Sequence, residues 1–201
     1  GLTVLAQLDC DDFGCRYFPY SMGYSVPIVD YAYAAHLGLA ILQGDPSTFA
    51  QHVRHTWSLP CAVIRPPRTH DGILMRSKLF DADSKRDLIE LSEAFGLEVR
   101  VIDGDPYEVN ASLPYLYRLG VTTDQMLARV ELSVAVTAFV PGWPYYYLPA
   151  ILGYVPEDDH EADADPRSIN RQPVSYRHVV EYVASGRSVR VRDLLRVLGD
   201  I

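Results

Sequence analysis

The longest apolar block of the chain runs from Thr122 to Pro156, and it limits what the rest of the sequence can fold around. Its first half places Met126, Val130 and Val134 at helical spacing, with few polar residues between them. A helix that is apolar on most sides is normally buried in the core of a domain. We therefore expect a mostly buried helix here, at the centre of the fold.

This helix has a clear start and a clear end in the sequence. Thr122 and Gln125 have the spacing of a capping box, in which each side chain bonds the backbone N–H of the other residue. Pro141 and Gly142 should stop the helix, because both residues break regular structure. The β-branched residues of 134–140 also suit a buried strand, so that alternative stays open. The segment is too short and too interrupted to span a membrane.

Aromatic side chains follow the helix stop, and they are Trp143, Tyr145, Tyr146, Tyr147 and Tyr154. Tyrosine joins a large apolar ring to a hydroxyl group, which suits a half-buried surface such as a protein–protein interface. A loop that packs on its own core is the simpler interpretation, and an interface is the functional one.

The clearest fold signal is a helix–glycine–strand unit over residues 84–102. An amphipathic helix ends at Gly96 and an alternating strand follows, which is typical of α/β structure. We predict one α/β or α+β domain, rich in helices around a small mixed sheet. The predicted parts are a main domain (1–156), an acidic loop (157–173) and a C-terminal helical hairpin packed on the main domain (174–201). Other predicted elements are strands over 2–8, 59–64 and 72–80, and helices over 28–42, 47–57, 107–119, 176–184 and 189–198. The first of these helices should end at Gly44, and Pro114 should break the helix over 107–119.

Composition narrows the class of protein. Hydrophobic residues make up 48% of the 201 residues, which is enough for a sizeable core. The net charge of −8 argues against a nucleic-acid surface over the whole domain, and three cysteines do not make a disulfide scaffold. No signal peptide or transmembrane run is visible, so the expected location is the cytoplasm or an intracellular assembly. The start at Gly1 and the abrupt end suggest a fragment of a longer chain.

An acidic loop with Asp9, Asp11 and Asp12 follows the first predicted strand. Ligands of open α/β sheets bind at the carboxyl ends of strands, and clustered carboxylates can share a proton or hold a divalent cation. Asp11 and Asp12 are therefore candidate catalytic residues of a hydrolase. The run Asp11-Asp-Phe-Gly14 resembles the opening turn of carbohydrate deacetylases, but their further histidine cluster is missing, so no family assignment follows.

Two weaker patterns concern metal and nucleic acid. Cys10, Cys15, His52 and His55 are ligand types that suit zinc or another divalent cation; two buried thiols and two surface imidazoles are the simpler interpretation. No other cofactor is indicated. The C-terminal hairpin carries Arg187, Arg190 and Arg192, which could contact nucleic acid, although a plain helical hairpin explains the same pattern.

These observations favour a structural or assembly protein over an enzyme. No motif of a known catalytic class is present, whereas the Tyr- and Trp-rich segment suits contact with other proteins, either copies of itself or a larger complex. A component or fragment of a virion shell (a capsid) is one concrete version. The alternative is a hydrolase-type enzyme that uses the Asp9–Asp12 loop, with or without a metal ion.

Overall fold

The structure is a computed structural model, and it describes residues 27–59, 61–68, 72–75, 80–110, 116–118, 120–147, 152–153, 176–186, 193 and 196. Within these ranges helices surround two small sheets of three strands each, which confirms the predicted α/β or α+β class. The strands are β1 (Ile28–Val29), β2 (Val63–Arg65), β3 (Ile73–Leu74), β4 (Glu98–Ile102), β5 (Asp105–Asn110) and β6 (Trp143–Pro144). The helices are α1 (Tyr31–Gln43), α2 (Ser47–Trp57), α3 (Ala82–Ala94), α4 (Thr123–Phe139) and α5 (Tyr176–Ala184).

The first sheet is parallel, and its strand order β1-β2-β6 follows the order of the chain. Helices α1 and α2 connect β1 to β2, and α4 leads into β6. Connections between parallel strands are almost always right-handed, so a sheet that grows in one direction carries its helices on one face. This arrangement is typical of a segment of a (β/α) barrel rather than of a doubly wound sheet, where the strand order reverses.

The second sheet is antiparallel, with order β3-β5-β4, and it lies in the connection between β2 and β6. Strands β4 and β5 form a tight hairpin whose turn residues Asp103 and Gly104 have positive φ angles of 53° and 82°. Such angles suit Asn, Asp and Gly and match the twist of a two-residue hairpin turn. The prediction of a helix over 107–119 was therefore wrong in its first part, because cross-strand pairing with β4 determines residues 107–110.

The predicted helix over 28–42 was wrong at its start. Ile28 and Val29 form β1, and Asp30 is the N-cap of α1, where its carboxylate accepts a hydrogen bond from the Tyr33 N–H at 3.1 Å. An aspartate at this position satisfies a backbone N–H that has no partner inside the helix. The helix ends at Gly44 in the left-handed conformation, φ 72°, as the sequence predicts.

The central helix α4 begins with the predicted capping box between Thr122 and Gln125. The alternative of a strand over 134–140 is excluded, because the helix extends to Phe139. One face of α4 is buried, as expected, but the opposite face exposes Leu132 and Phe139, which are 50% and 71% exposed. The expectation of a mostly buried helix was therefore correct for one face only.

One apolar core links α1, α3, α4 and the antiparallel sheet, and a second cluster packs α1 on α2. Its fully buried members include Leu39, Ile73, Leu88, Val109, Leu116 and Val130. Among the described helices, none is long and apolar enough to cross a membrane. The acidic loop 157–173 and the predicted helix 189–198, apart from 193 and 196, lie outside the described residues, so the predicted division into parts stays a prediction.

Candidate functional site

Two buried charged residues lie at the carboxyl end of the parallel sheet. Asp30 directly follows β1, and Arg65 is the last residue of β2. Val29 pairs with Ile64, one position before each of them, so Asp30 and Arg65 lie side by side on the same face. In barrels and open α/β sheets, this end of the strands is where ligands bind.

Asp30 is held by two elements at once. Its carboxylate caps α1, and its two oxygens lie 3.0 and 2.9 Å from Nε2 of His52 on α2. Both side chains are almost completely buried. The imidazole of His52 also stacks on that of His36, with ring centroids 4.5 Å apart. The contact between Asp30 and His52 therefore fixes the start of α1 against α2, next to the end of β1.

Arg65 is the second buried charge, with 1% of its surface exposed. Its Nη2 donates to the Thr56 hydroxyl at 2.9 Å, and its guanidinium lies 5.5 Å from the centre of the Tyr33 ring. Nε and Nη1 have no hydrogen-bond partner within the part of the chain that the structure describes. Burial lowers the pKa of Arg65 below its ordinary value, and the nearby charge of Asp30 opposes that shift. Arginine stays protonated in proteins, so a positive charge is buried here with two unused donors.

Tyr33 connects this edge to the central helix. Its hydroxyl donates to the Thr137 hydroxyl of α4 at 3.1 Å, and Thr137 in turn donates to the Ser133 carbonyl at 2.7 Å. Burial raises the pKa of the Tyr33 hydroxyl, so it remains a neutral donor. We call Asp30, Tyr33, His52, Thr56 and Arg65 the strand-end cluster. It joins α1, α2 and α4 to the ends of β1 and β2.

The geometry separates the roles within the strand-end cluster. Both oxygens of Asp30 are already engaged by His52 and the backbone, so this carboxylate holds structure in place. Arg65 is different, because two of its nitrogens, Nε and Nη1, can still donate hydrogen bonds to a ligand oxygen. The cluster therefore offers a rigid strand end with one buried cation that suits an anionic group.

The structure divides the predicted interface residues into two groups. Trp143 and Tyr145 are about half exposed, at 51% and 49%. Tyr146 and Tyr147 pack partly against the core, and the Tyr146 hydroxyl donates to the Val134 carbonyl at 3.0 Å. Burial raises the pKa of Tyr146 to about 12. Tyr154 lies outside the described residues. The described aromatic residues therefore do not form one uniform surface: Trp143 and Tyr145 are exposed, whereas Tyr146 and Tyr147 pack against the core.

The predicted metal ligands are only partly described. His52 is buried against Asp30, whereas His55, one turn further along α2, is partly exposed; Cys10 and Cys15 lie outside the described residues. Within the ranges that the structure describes, no three His, Cys, Asp or Glu residues group as metal ligands would. One part of the simpler interpretation was wrong, since His52 is not a surface imidazole. The zinc hypothesis itself stays a prediction.

The remaining predicted sites lie outside the described residues. These are the acidic loop with Asp9, Asp11 and Asp12, and the basic positions Arg187, Arg190 and Arg192. The catalytic and nucleic-acid hypotheses for them stay predictions.

Sequence reasoning missed Asp30 and Arg65. Asp30 had a usable signal, because an aspartate between two β-branched residues and a helical pattern is a standard N-cap. Arg65 had none, because its partners lie far away in sequence, on α1 and α2.

Comparisons with known proteins give a fold likeness and no family. No protein-family model matches the sequence, and no curated protein sequence is similar to it. Among solved structures, a sucrose 6F-phosphate phosphorylase from Thermoanaerobacter thermosaccharolyticum matches 98% of this chain with a TM-score of 0.78. The identity is 17%, so the match shows the fold alone. The chain spans 40% of the length of that phosphorylase.

Proposed function

We propose that this chain belongs to an enzyme that cleaves the glycosidic bond of a sugar or sugar phosphate. The observation that carries the proposal is the fold match over 98% of the chain to a sucrose 6F-phosphate phosphorylase. The site would lie at the carboxyl end of the parallel sheet, where (β/α) barrels place their active sites. Among the two functions that the sequence leaves open, this favours the enzyme.

The proposed chemistry needs carboxylates that the acidic loop can supply. In glycosidic cleavage the bond from the sugar carbon to the leaving oxygen breaks, and a carboxylic acid protonates that oxygen. Water or phosphate then bonds to the sugar carbon and releases a proton to a carboxylate. Asp11 and Asp12 are the candidates, because a predicted strand before β1 would bring its following loop to the same end of the sheet. This mechanism requires no metal ion.

The test is cleavage of sucrose and sucrose 6F-phosphate by the purified chain, with and without inorganic phosphate. We expect release of free sugar, and we expect Asp11→Asn or Asp12→Asn to lower the rate by on the order of 10²–10⁴. Asp83→Asn is the matched control, because Asp83 is an exposed aspartate on α3, away from the parallel sheet. No cleavage by the wild-type chain, or equal rates for all four proteins, would rule the proposal out.

A chelator separates this mechanism from the metal-assisted alternative. Because acid–base cleavage of a glycosidic bond uses only carboxylates, we expect unchanged activity after treatment with EDTA. Native mass spectrometry before and after EDTA treatment shows whether the chain loses a bound metal ion. A loss of about 65 Da together with a loss of activity would favour the zinc alternative with Cys10, Cys15, His52 and His55.

We also propose, as a second candidate, that the exposed aromatic residues make a protein–protein contact. Trp143 and Tyr145 are each about half exposed and follow the exposed Phe139 closely in the chain. Aromatic anchors of this kind dominate interface energies. We expect self-association that Trp143→Ala with Tyr145→Ala weakens about 30-fold, equivalent to about 2 kcal/mol. Trp57→Ala, at the end of α2, is the matched exposed control. A wild-type monomer at micromolar concentration in light scattering would eliminate this contact between copies.

A further inference from the structure

The buried guanidinium of Arg65 has more donors than the protein uses. Among the described residues, Nη2 donates to the Thr56 hydroxyl, while Nε and Nη1 have no hydrogen-bond partner. Leaving a buried donor unsatisfied typically costs about 1–3 kcal/mol, and more when the group is charged, so native proteins rarely do so without a reason. A ligand that accepts hydrogen bonds is such a reason.

The charge of Arg65 has no contacting carboxylate in the described ranges of the chain. Asp30 influences the guanidinium electrostatically, but the close contacts of that carboxylate go to His52 and to the Tyr33 N–H. Among the residues that the structure describes, no Asp or Glu forms an ion pair with Arg65. A buried cation of this kind favours an incoming anion.

Gly142 lies directly against the guanidinium and allows it this position. A Cβ atom at this position would lie 2.7 Å from Nε of Arg65 and 2.8 Å from the Val63 carbonyl oxygen. Any larger residue would therefore displace the guanidinium. The residue before β6 thus fits the arginine at the end of β2, its neighbour in the sheet.

We propose that Arg65 binds the phosphate group of the ligand at the carboxyl end of the parallel sheet. Arginine matches phosphate in geometry and charge, and a buried donor strengthens the bond. The inference rests on the proposed function, since it specifies that the sugar-cleaving site takes a phosphate. The phosphate belongs either to inorganic phosphate that attacks the sugar or to a sugar phosphate ester.

The test measures the melting temperature of the full chain against increasing sodium phosphate, with sodium chloride at matched ionic strength as reference. A second titration uses fructose 6-phosphate, with fructose as its control, to separate the two sources of phosphate. We expect one of the two to raise Tm saturably in the wild type. Arg65→Met should abolish the rise, and Arg65→Lys should shift its midpoint at least about tenfold.

Arg177→Met is the matched control, because Arg177 is an exposed arginine on α5 paired with Glu181. It should respond to phosphate as the wild type does. If Arg65→Met does not fold, Thr56→Val replaces it, since it removes the one bond that orients the guanidinium; a midpoint at least about tenfold higher is then expected. A wild type without a saturable response, or variants that respond as the wild type does, would overturn the inference.

A failure of the phosphate proposal for Arg65 can be distinguished from a failure of the proposed function. If the chain cleaves glycosides but ignores both phosphate ligands, the function stands and the role of Arg65 is rejected. If the chain binds phosphate through Arg65 but cleaves no glycoside, the anion site stands and the enzyme proposal is rejected.

Discussion

Two arginines, one in each sheet, differ in their exposure and in the polar partners of their guanidinium groups. Arg100 on β4 lies 5.6 Å from the Tyr107 ring, and Arg65 on β2 lies 5.5 Å from the Tyr33 ring. The Arg100 side chain is 37% exposed and pairs with the buried carboxylate of Glu108 at 3.3 Å. Arg65 is fully buried, and within the described part of the chain its one hydrogen-bond partner is the Thr56 hydroxyl.

The difference supports the proposed site at the parallel sheet. In the antiparallel sheet Arg100 of β4 pairs with Glu108 of the neighbouring β5, and a tight turn joins these two strands. The parallel sheet has strands of only two or three residues and concentrates buried charge at their ends. Such an arrangement is stable only if tertiary contacts hold it, and incomplete satisfaction of polar groups is typical of functional sites.

The largest effect should come from removing Asp30. Asp30→Ala deletes the cap of α1 and leaves His52 and Arg65 without their nearest negative charge, so we expect a loss of about 3–5 kcal/mol in the free energy of unfolding. Urea denaturation followed by circular dichroism measures it. Asp45→Ala is the control at an exposed aspartate in the α1–α2 connection, and an equal loss there would contradict a special role for Asp30.

The same substitution should destabilise the protein to different extents at the two arginines. Arg100→Met leaves Glu108 buried without its ion-pair partner, so we expect a loss of about 3 kcal/mol in the free energy of unfolding. Arg65→Met removes a charge whose donors are mostly unused, so we expect a change within about 1 kcal/mol. Denaturant midpoints of the two variants, measured side by side without phosphate, make the comparison. Equal losses would show that Arg65 is an ordinary structural arginine.

A smaller effect on stability is expected at Asp81, which caps α3 and lies outside the strand-end cluster. Burial pushes the pKa of Asp81 upwards, but hydrogen bonds from the backbone and hydroxyl of Ser84 outweigh it and lower that pKa. Because the folded pKa lies below the unfolded value, the stabilisation is present above the unfolded pKa and disappears as pH falls through the folded pKa.

Asp81→Ala should therefore cost about 1 kcal/mol in the free energy of unfolding at pH 7. The cost should shrink as the pH falls below about 4, the ordinary aspartate pKa. Urea midpoints of both proteins between pH 2 and pH 7 check this. A constant difference over that range would show that the Asp81 charge does not matter.

Local signals predicted much of the fold and little of the candidate site. The capping box at Thr122, the glycine stops at Gly44 and Gly96 and the helix–strand unit from α3 to β4 all depend on neighbouring residues. Strand β1 was missed because it has only two residues, Ile28 and Val29, which is too short to show the alternating pattern of a strand. The strand-end cluster was missed because His52 and Arg65 reach Asp30 only after α1 and α2 have folded against the sheet.

The most direct test of the account is ³¹P NMR of the full chain with sucrose or sucrose 6F-phosphate and excess inorganic phosphate. We predict that the phosphate resonance declines while a sugar 1-phosphate resonance appears, and that Arg65→Met slows this conversion. An unchanged phosphate spectrum, with no cleavage of either sugar by water, would contradict the assignment of this fold to glycosidic chemistry.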